Sequence, residues 1–200
     1  MQKFLLLILL IISSQGYSQP NNGAIKTKDG FLLYFNDGQN SHTLDLIGDI
    51  DISNFPHIKK DSEWFQFYIA NKSEFETSSG STLENYMRWE LDYFEEQLGQ
   101  ELQFERKACV IGDLRANFWH FNHPAVSIQD MATAIKTTYF LDAVYAGLIY
   151  RFSYASISGD DTQAFQVLSE IARNLNFYEN GLDVEKLQSN IILGKNYYQD

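Results

Sequence analysis

The sequence predicts an α+β domain: a mainly antiparallel, twisted sheet packed with two principal helices in an α/β/α sandwich. Three observations carry this. Short apolar runs separated by Asp-Gly and Gly-Asp turns recur along the chain, as hairpin-linked strands do. Two segments, 83–98 and 162–175, instead place apolar residues at steps of three and four, the helical period. Hairpins outnumber the strand–helix–strand crossovers that a parallel sheet needs.

The chain opens with a leader. Lys3 supplies positive charge, residues 4–12 (FLLLILLII) are uninterruptedly apolar, and Gly16 and Ser18 stand at −3 and −1 of a cut before Gln19. This is the layout of a secretory signal peptide, over residues 1–18. Nine apolar residues are too few for a membrane-spanning helix, which needs about 20. The expectation is an exported chain, periplasmic or extracellular, with no membrane anchor after cleavage and one domain over residues 19–200.

Residues 24–28, 31–35 and 43–47 form three expected short strands, after a frayed start at 19–23. Asp29-Gly30 turns the first into the second, and residues 36–41 (NDGQNS) join the second to the third. Residues 63–70 (EWFQFYIA) are aromatic-rich and strand-like. Ser81-Thr82-Leu83-Glu84 has the capping-box form ahead of a helix over 83–98. Leu83, Met87, Leu91, Phe94 and Leu98 share one face of it, and Gly99 suits a left-handed stop. Residues 101–111 and 114–121 predict a long hairpin around Gly112-Asp113, with Gly first as a type II′ turn requires. A loop with Pro124 follows over 122–130. Residues 134–141 and 145–156 form a further strand pair. In the second of these, Leu148, Tyr150, Phe152 and Tyr154 alternate with Arg151 and Ser153, the pattern of a half-buried strand. Asp160 or Asp161 caps the second helix, and Val184, Leu187 and Ile191 recur at helical spacing in the tail.

Several chemistries are excluded or disfavoured. The formal charge is −11, and loss of Lys3 with the leader makes it about −12. That charge repels nucleic acid and anionic membranes. Cys109 is the only cysteine and sits in a strand, so it reads as an inert core thiol with no intramolecular disulfide. No nucleophile elbow, P-loop, dinucleotide fingerprint or H-E-x-x-H is present. Asp49, Asp51 and Ser53 begin like a calcium loop, but Asn54 and Lys60 stand where Gly and Glu are needed. His120 and His123 lie three apart, on opposite faces of a strand that continues that far, so they do not make a metal pair. No cofactor and no metal is expected.

The residues singled out as a ligand- or partner-binding set are Glu90, Trp119 and His120. Glu90 falls near the middle of the apolar arc of the first helix. A carboxylate there reaches water, pairs with a base, or occupies a cavity with a raised pKa. Arg106 and Arg115, on the following hairpin, are the nearest bases in sequence. The aromatic residues on strands 63–70 and 114–121 serve as core, pocket lining or interface anchors.

The segments STLENYMRWELDYFEEQL, ELQFERKACVIGDLRANFWHF, YAGLIYRFSYAS and TQAFQVLSEIARNLNFY resemble, in order and apolar pattern, the Mog1/PsbP-like superfamily and its exported bacterial members. The resemblance covers residues 24–178. It implies an antiparallel sheet sandwiched by helices and non-catalytic work: members bind a GTPase, assist photosystem assembly or chaperone secreted effectors. The family shares no catalytic residues, so none is carried over. The leading expectation is an exported, non-enzymatic binding or accessory protein that holds a protein partner in the cell envelope. The alternatives are a carrier of a small apolar ligand with Glu90 and aromatic residues around its pocket, and, behind it, a hydrolase.

Overall fold

The computed structural model describes residues 23–36, 41–54, 57–60, 63–123 and 135–178, together with residues 183 and 186. The expected leader, the Pro124 loop and the helical spacing of Val184, Leu187 and Ile191 lie outside the described residues, apart from isolated positions at their borders.

The first strands follow the expected hairpins. β1 (Gly23–Lys26), β2 (Gly30–Asn36) and β3 (Ser41–Ile47) pair antiparallel in sequence order. β4 (Ile50–Asn54) and β5 (His57–Lys60) form a hairpin absent from the strands expected from sequence, and β6 (Glu63–Asn71) follows. Helix α1 (Thr82–Leu98) starts on the predicted capping box. Ser81 accepts from the Glu84 N–H, and Glu84 accepts from the Ser81 N–H. It ends on Gly99 in the left-handed region, at φ 67°.

β7 (Phe104–Ile111) and β8 (Leu114–Asn122) make the expected long hairpin, with Gly112 at φ 58°. β9 (Thr137–Tyr145) and β10 (Leu148–Ser156) turn on Ala146 and Gly147, both at positive φ. Tyr145 therefore ends β9 instead of starting β10, a shift from the sequence reading. Asp160 caps α2 (Asp161–Ala172), accepting from the Gln163 N–H at 3.0 Å. The helix stops three residues short of the expected end. Leu175 instead opens β11 (Leu175–Tyr178), which pairs with β3. An apolar residue at helical spacing served equally well in a strand once an open sheet edge was available.

The strands form two sheets, not one. The smaller runs β1-β2-β3-β11 and the larger β4-β5-β6-β10-β9-β8-β7, antiparallel throughout. On one face of the large sheet α1 packs Met87, Leu91 and Phe94 against Trp119, Phe121 and Phe140. On the other face the small sheet (Leu33, Leu44) and α2 (Leu168, Ile171) cover Phe67, Phe118, Leu141 and Phe152. The helix-sandwiched sheet thus carries a second sheet within one of its outer layers. Fully burying such side chains is worth roughly 1.5–3 kcal/mol each.

This layering has a consequence for the central strands. β8, β9 and β10 are covered on both faces, so the residues in the middle of each strand are buried on both sides. Arg151 and Ser153, expected on a solvated face, lie beneath α1 with 5% exposure each.

Candidate functional site

The polar centre of the molecule is assembled by the β9–β10 register. Arg151 stands directly opposite Asp142 across the strand pair. Its guanidinium donates from Nε to Asp142 Oδ1 at 2.8 Å and from Nη2 to Oδ2 at 3.1 Å, a forked contact. From β8, Trp119 donates its indole N–H to Asp142 Oδ2 at 2.7 Å. From above, α1 brings Glu90 onto Arg151 Nη1 as an ion pair. Tyr86, one helical turn earlier, lays its ring 4.4 Å from the guanidinium carbon. Phe140 and Trp119 stand at 5.0 and 5.6 Å and stack on each other at 4.1 Å. Arg151 is thus a buried cation held by two carboxylates and three rings.

The electrostatics follow from that arrangement. Burial opposes the charge on Arg151, but Asp142 and Glu90 together outweigh it and hold its pKa well above the ordinary value. Burial also pushes the Tyr86 hydroxyl well up, with Glu90 and Asp142 adding to the shift and Arg151 opposing it. Among the described residues that hydroxyl has no hydrogen-bond partner.

Glu90 and Trp119, two of the three residues singled out from sequence, therefore meet in one cluster. The partner of Glu90 is Arg151, not Arg106 or Arg115. Arg106 is engaged by Glu84 at the start of α1. The space beside Glu90 is lined by Gln66, Tyr68, Phe94, Arg151 and Ser153 and amounts to about 20 Å³. That is the size of one water molecule, with no room for an organic ligand. The pocket imagined around Glu90 is replaced by a packed ionic core, because α1 seats directly on the sheet there.

His120 is on the opposite face of β8 and does not join them. It is in ring contact with Tyr139 at 5.1 Å, and Phe118 lies beside it. With Glu105, Lys107, Phe118, Asp161, Thr162 and Phe165 it lines an open groove of about 390 Å³ between the β7–β8 hairpin and the start of α2. Phe118 and Phe165 meet edge-to-face at 5.1 Å on the groove floor. Tyr139 donates its hydroxyl to Asp161 Oδ1 at 2.7 Å; burial, then this carboxylate, push its pKa up. A second open groove, of about 310 Å³, lies where β3, β6 and α2 meet.

His120 and His123 do face opposite ways. His123 hydrogen-bonds Thr138 Oγ1 at 2.7 Å on the α1 side, and burial lowers its pKa. Among the described residues no three His, Cys, Asp or Glu side chains are grouped to hold a metal. Asp51 accepts from the Ser53 N–H, which lowers its pKa. Cys109 is half-buried, its thiol donates to the Ala116 carbonyl at 3.6 Å, and burial pushes its pKa up.

Sequence reasoning missed Arg151 and Asp142. The signal was present: folding the chain back about Ala146-Gly147 sets residue 151 opposite residue 142. Phe165 and Asp161 had no such signal, since the groove joins elements far apart in the chain.

No family model matches the chain, and no curated protein does. Among solved structures, it is similar to cyanobacterial PsbP (CyanoP) from Synechocystis sp. PCC 6803, with 11% identity over 84% of this chain and 99% of that chain and a TM-score of 0.45. The α+β architecture rests on the strands and helices described above, and no role is taken from that neighbour.

Proposed function

We propose that this chain is a non-enzymatic binding protein that works outside the cytoplasm and holds a protein partner in the groove between the β7–β8 hairpin and α2. The groove itself is the observation that carries this reading. It has an aromatic floor, Phe118 and Phe165 beside buried His120, and a rim of exposed charged groups, Glu105, Lys107 and Asp161. Apolar anchors ringed by polar groups are the anatomy of a protein interface. By contrast, the acidic group singled out at Glu90 is consumed inside the core by Arg151. Residues 1–18 support export. A net charge of −11 suits a basic partner, as in an envelope chaperone or immunity protein.

The test is a photo-cross-linking residue placed at Phe165 and, separately, at exposed Trp64 on the other face of the sheet, each expressed in the native host. An adduct to a different polypeptide from position 165 and none from 64 is expected. Adducts from 64 alone would overturn the assignment of the groove. Native mass spectrometry distinguishes the carrier alternative, which requires a retained small mass in place of a second chain.

A further inference from the structure

The large sheet ends on β7, and that edge is unlike the others. β7 has eight residues in unbroken register with β8. The opposite edge, β4, has five residues and a register shift between Asp51 and Asn54. The small sheet ends on four-residue strands, β1 and β11. Short and bulged edges resist pairing with another chain, whereas a long regular edge invites it. Among the described residues no strand pairs with the outer side of β7.

We infer that the outer edge of β7 pairs antiparallel with β7 of a second copy of this chain, about a two-fold axis at Lys107. The backbone sets the register. In a two-residue hairpin the residues flanking the loop, here Ile111 and Leu114, form a hydrogen-bonded pair, and such pairs alternate along the ladder. Cys109, Lys107 and Glu105 therefore turn their N–H and C=O groups toward β8. Phe104, Arg106, Ala108 and Val110 turn theirs outward. Only registers that match outward residues with outward residues join the two edges.

An axis at Lys107 matches all four. Phe104 faces Val110 of the second copy, and Arg106 faces Ala108, each pair occurring twice. Phe104 and Val110 are the two exposed large apolar residues of this strand, at 39% and 69% exposure, and this register covers one with the other. Moving the axis to Arg106 leaves Val110 without a partner and sets Arg106 against itself. Moving it to Ala108 leaves Phe104 without one. With the axis at Lys107, each Lys107 lies diagonal to Glu105 of the other copy, which offsets the meeting of the two lysines. Arg106 is already matched by Glu84 of its own chain. The edge is a small interface between two acidic bodies, so the dimer is weak and concentration-dependent.

The test is sedimentation velocity of the protein purified from its own host, from micromolar to near-millimolar concentration, with a monomer–dimer shift expected. Ala108→Pro removes an outward-pointing N–H and none directed at β8, and is expected to weaken association about tenfold or more. Val110→Lys, which needs no backbone change, gives the same loss should the proline variant fail to fold. In a Cys109→Ala background, Lys107→Cys sits on the axis in a non-hydrogen-bonded pair, with Cα atoms about 4.5 Å apart. That lies within disulfide reach, so mild oxidation yields a covalent dimer, whereas Asp113→Cys in the turn does not. A monomer at every concentration overturns the inference. So does a dimer indifferent to both edge variants in which Lys107→Cys stays uncross-linked. The partner groove is tested separately by its adduct to a different polypeptide.

Discussion

Arg151 is the residue on which the interior depends. Two carboxylates serve one guanidinium, so removing either leaves the other, but not to equal degree. Asp142 is fully buried, forked onto Arg151, and also accepts from Trp119. Glu90 makes one ion pair, with its side chain 12% exposed. Breaking a buried pair costs about 3–5 kcal/mol, and Asp142→Asn is expected in that range. Glu90→Gln, which leaves Arg151 its Asp142 fork, is expected to cost less, at about 1–3 kcal/mol. Urea unfolding checks the order; a neutral Glu90→Gln would sink the role given to the ion pair. Ala146 offers a gain instead. Among the described residues it is the one non-glycine residue held at positive φ, 47°, where an L side chain costs roughly 1–2 kcal/mol. Ala146→Gly relieves that strain and is expected to stabilise by up to ~1 kcal/mol once the added freedom of the unfolded chain is subtracted. A lowered melting temperature would contradict it.

At the scale of elements, α1 is fixed at both ends by local chemistry and on its inner face by packing. Glu84 acts twice at its start, accepting from the Ser81 N–H and pairing with Arg106 of β7, and so ties the helix to the sheet edge. Ser81→Ala removes the acceptor for the Glu84 N–H and is expected to cost about 1 kcal/mol, read as a lower denaturant midpoint with unchanged slope. This helix was legible beforehand from Ser81 to Gly99, because caps and a four-residue apolar step are local signals. The end of α2 was not. Leu175 satisfied the helical stripe, yet β3 offered an unpaired edge, and the backbone took the sheet bonds. Likewise β4 and β5 carry Lys59, Lys60 and Asp51, polar residues that masked a hairpin whose stability comes from pairing onto β6.

For the molecule as a whole, pH acts in two windows. Burial holds the His123 imidazole below its ordinary 6.5. The unfolded chain then takes up a proton near that value which the folded chain refuses. Stability is therefore whole above pH 6.5 and falls as the pH drops from there toward the folded value. The Arg106 hydrogen bond, then the Ser81 N–H, depress Glu84, and the Ser53 N–H depresses Asp51. Their contribution is present above the ordinary carboxylate range and is lost as the pH falls through the depressed values. The expected profile of urea midpoint against pH declines first below about 6.5 and again below about 4. His123→Gln is expected to abolish the first decline and keep the second; a flat wild-type profile between pH 7 and 5.5 would contradict the buried neutral histidine. The alternation of β10, the Gly112-Asp113 turn and both helix starts could be read from the chain alone, because each depends on neighbours within a turn or a strand. The burial of Arg151, its pairing with Glu90 in place of the bases nearer to Glu90 in sequence, Arg106 and Arg115, the splitting of the strands into two sheets and the groove at His120 could not. Each depends on which faces are covered, and α1 and the small sheet reach those faces from remote parts of the chain.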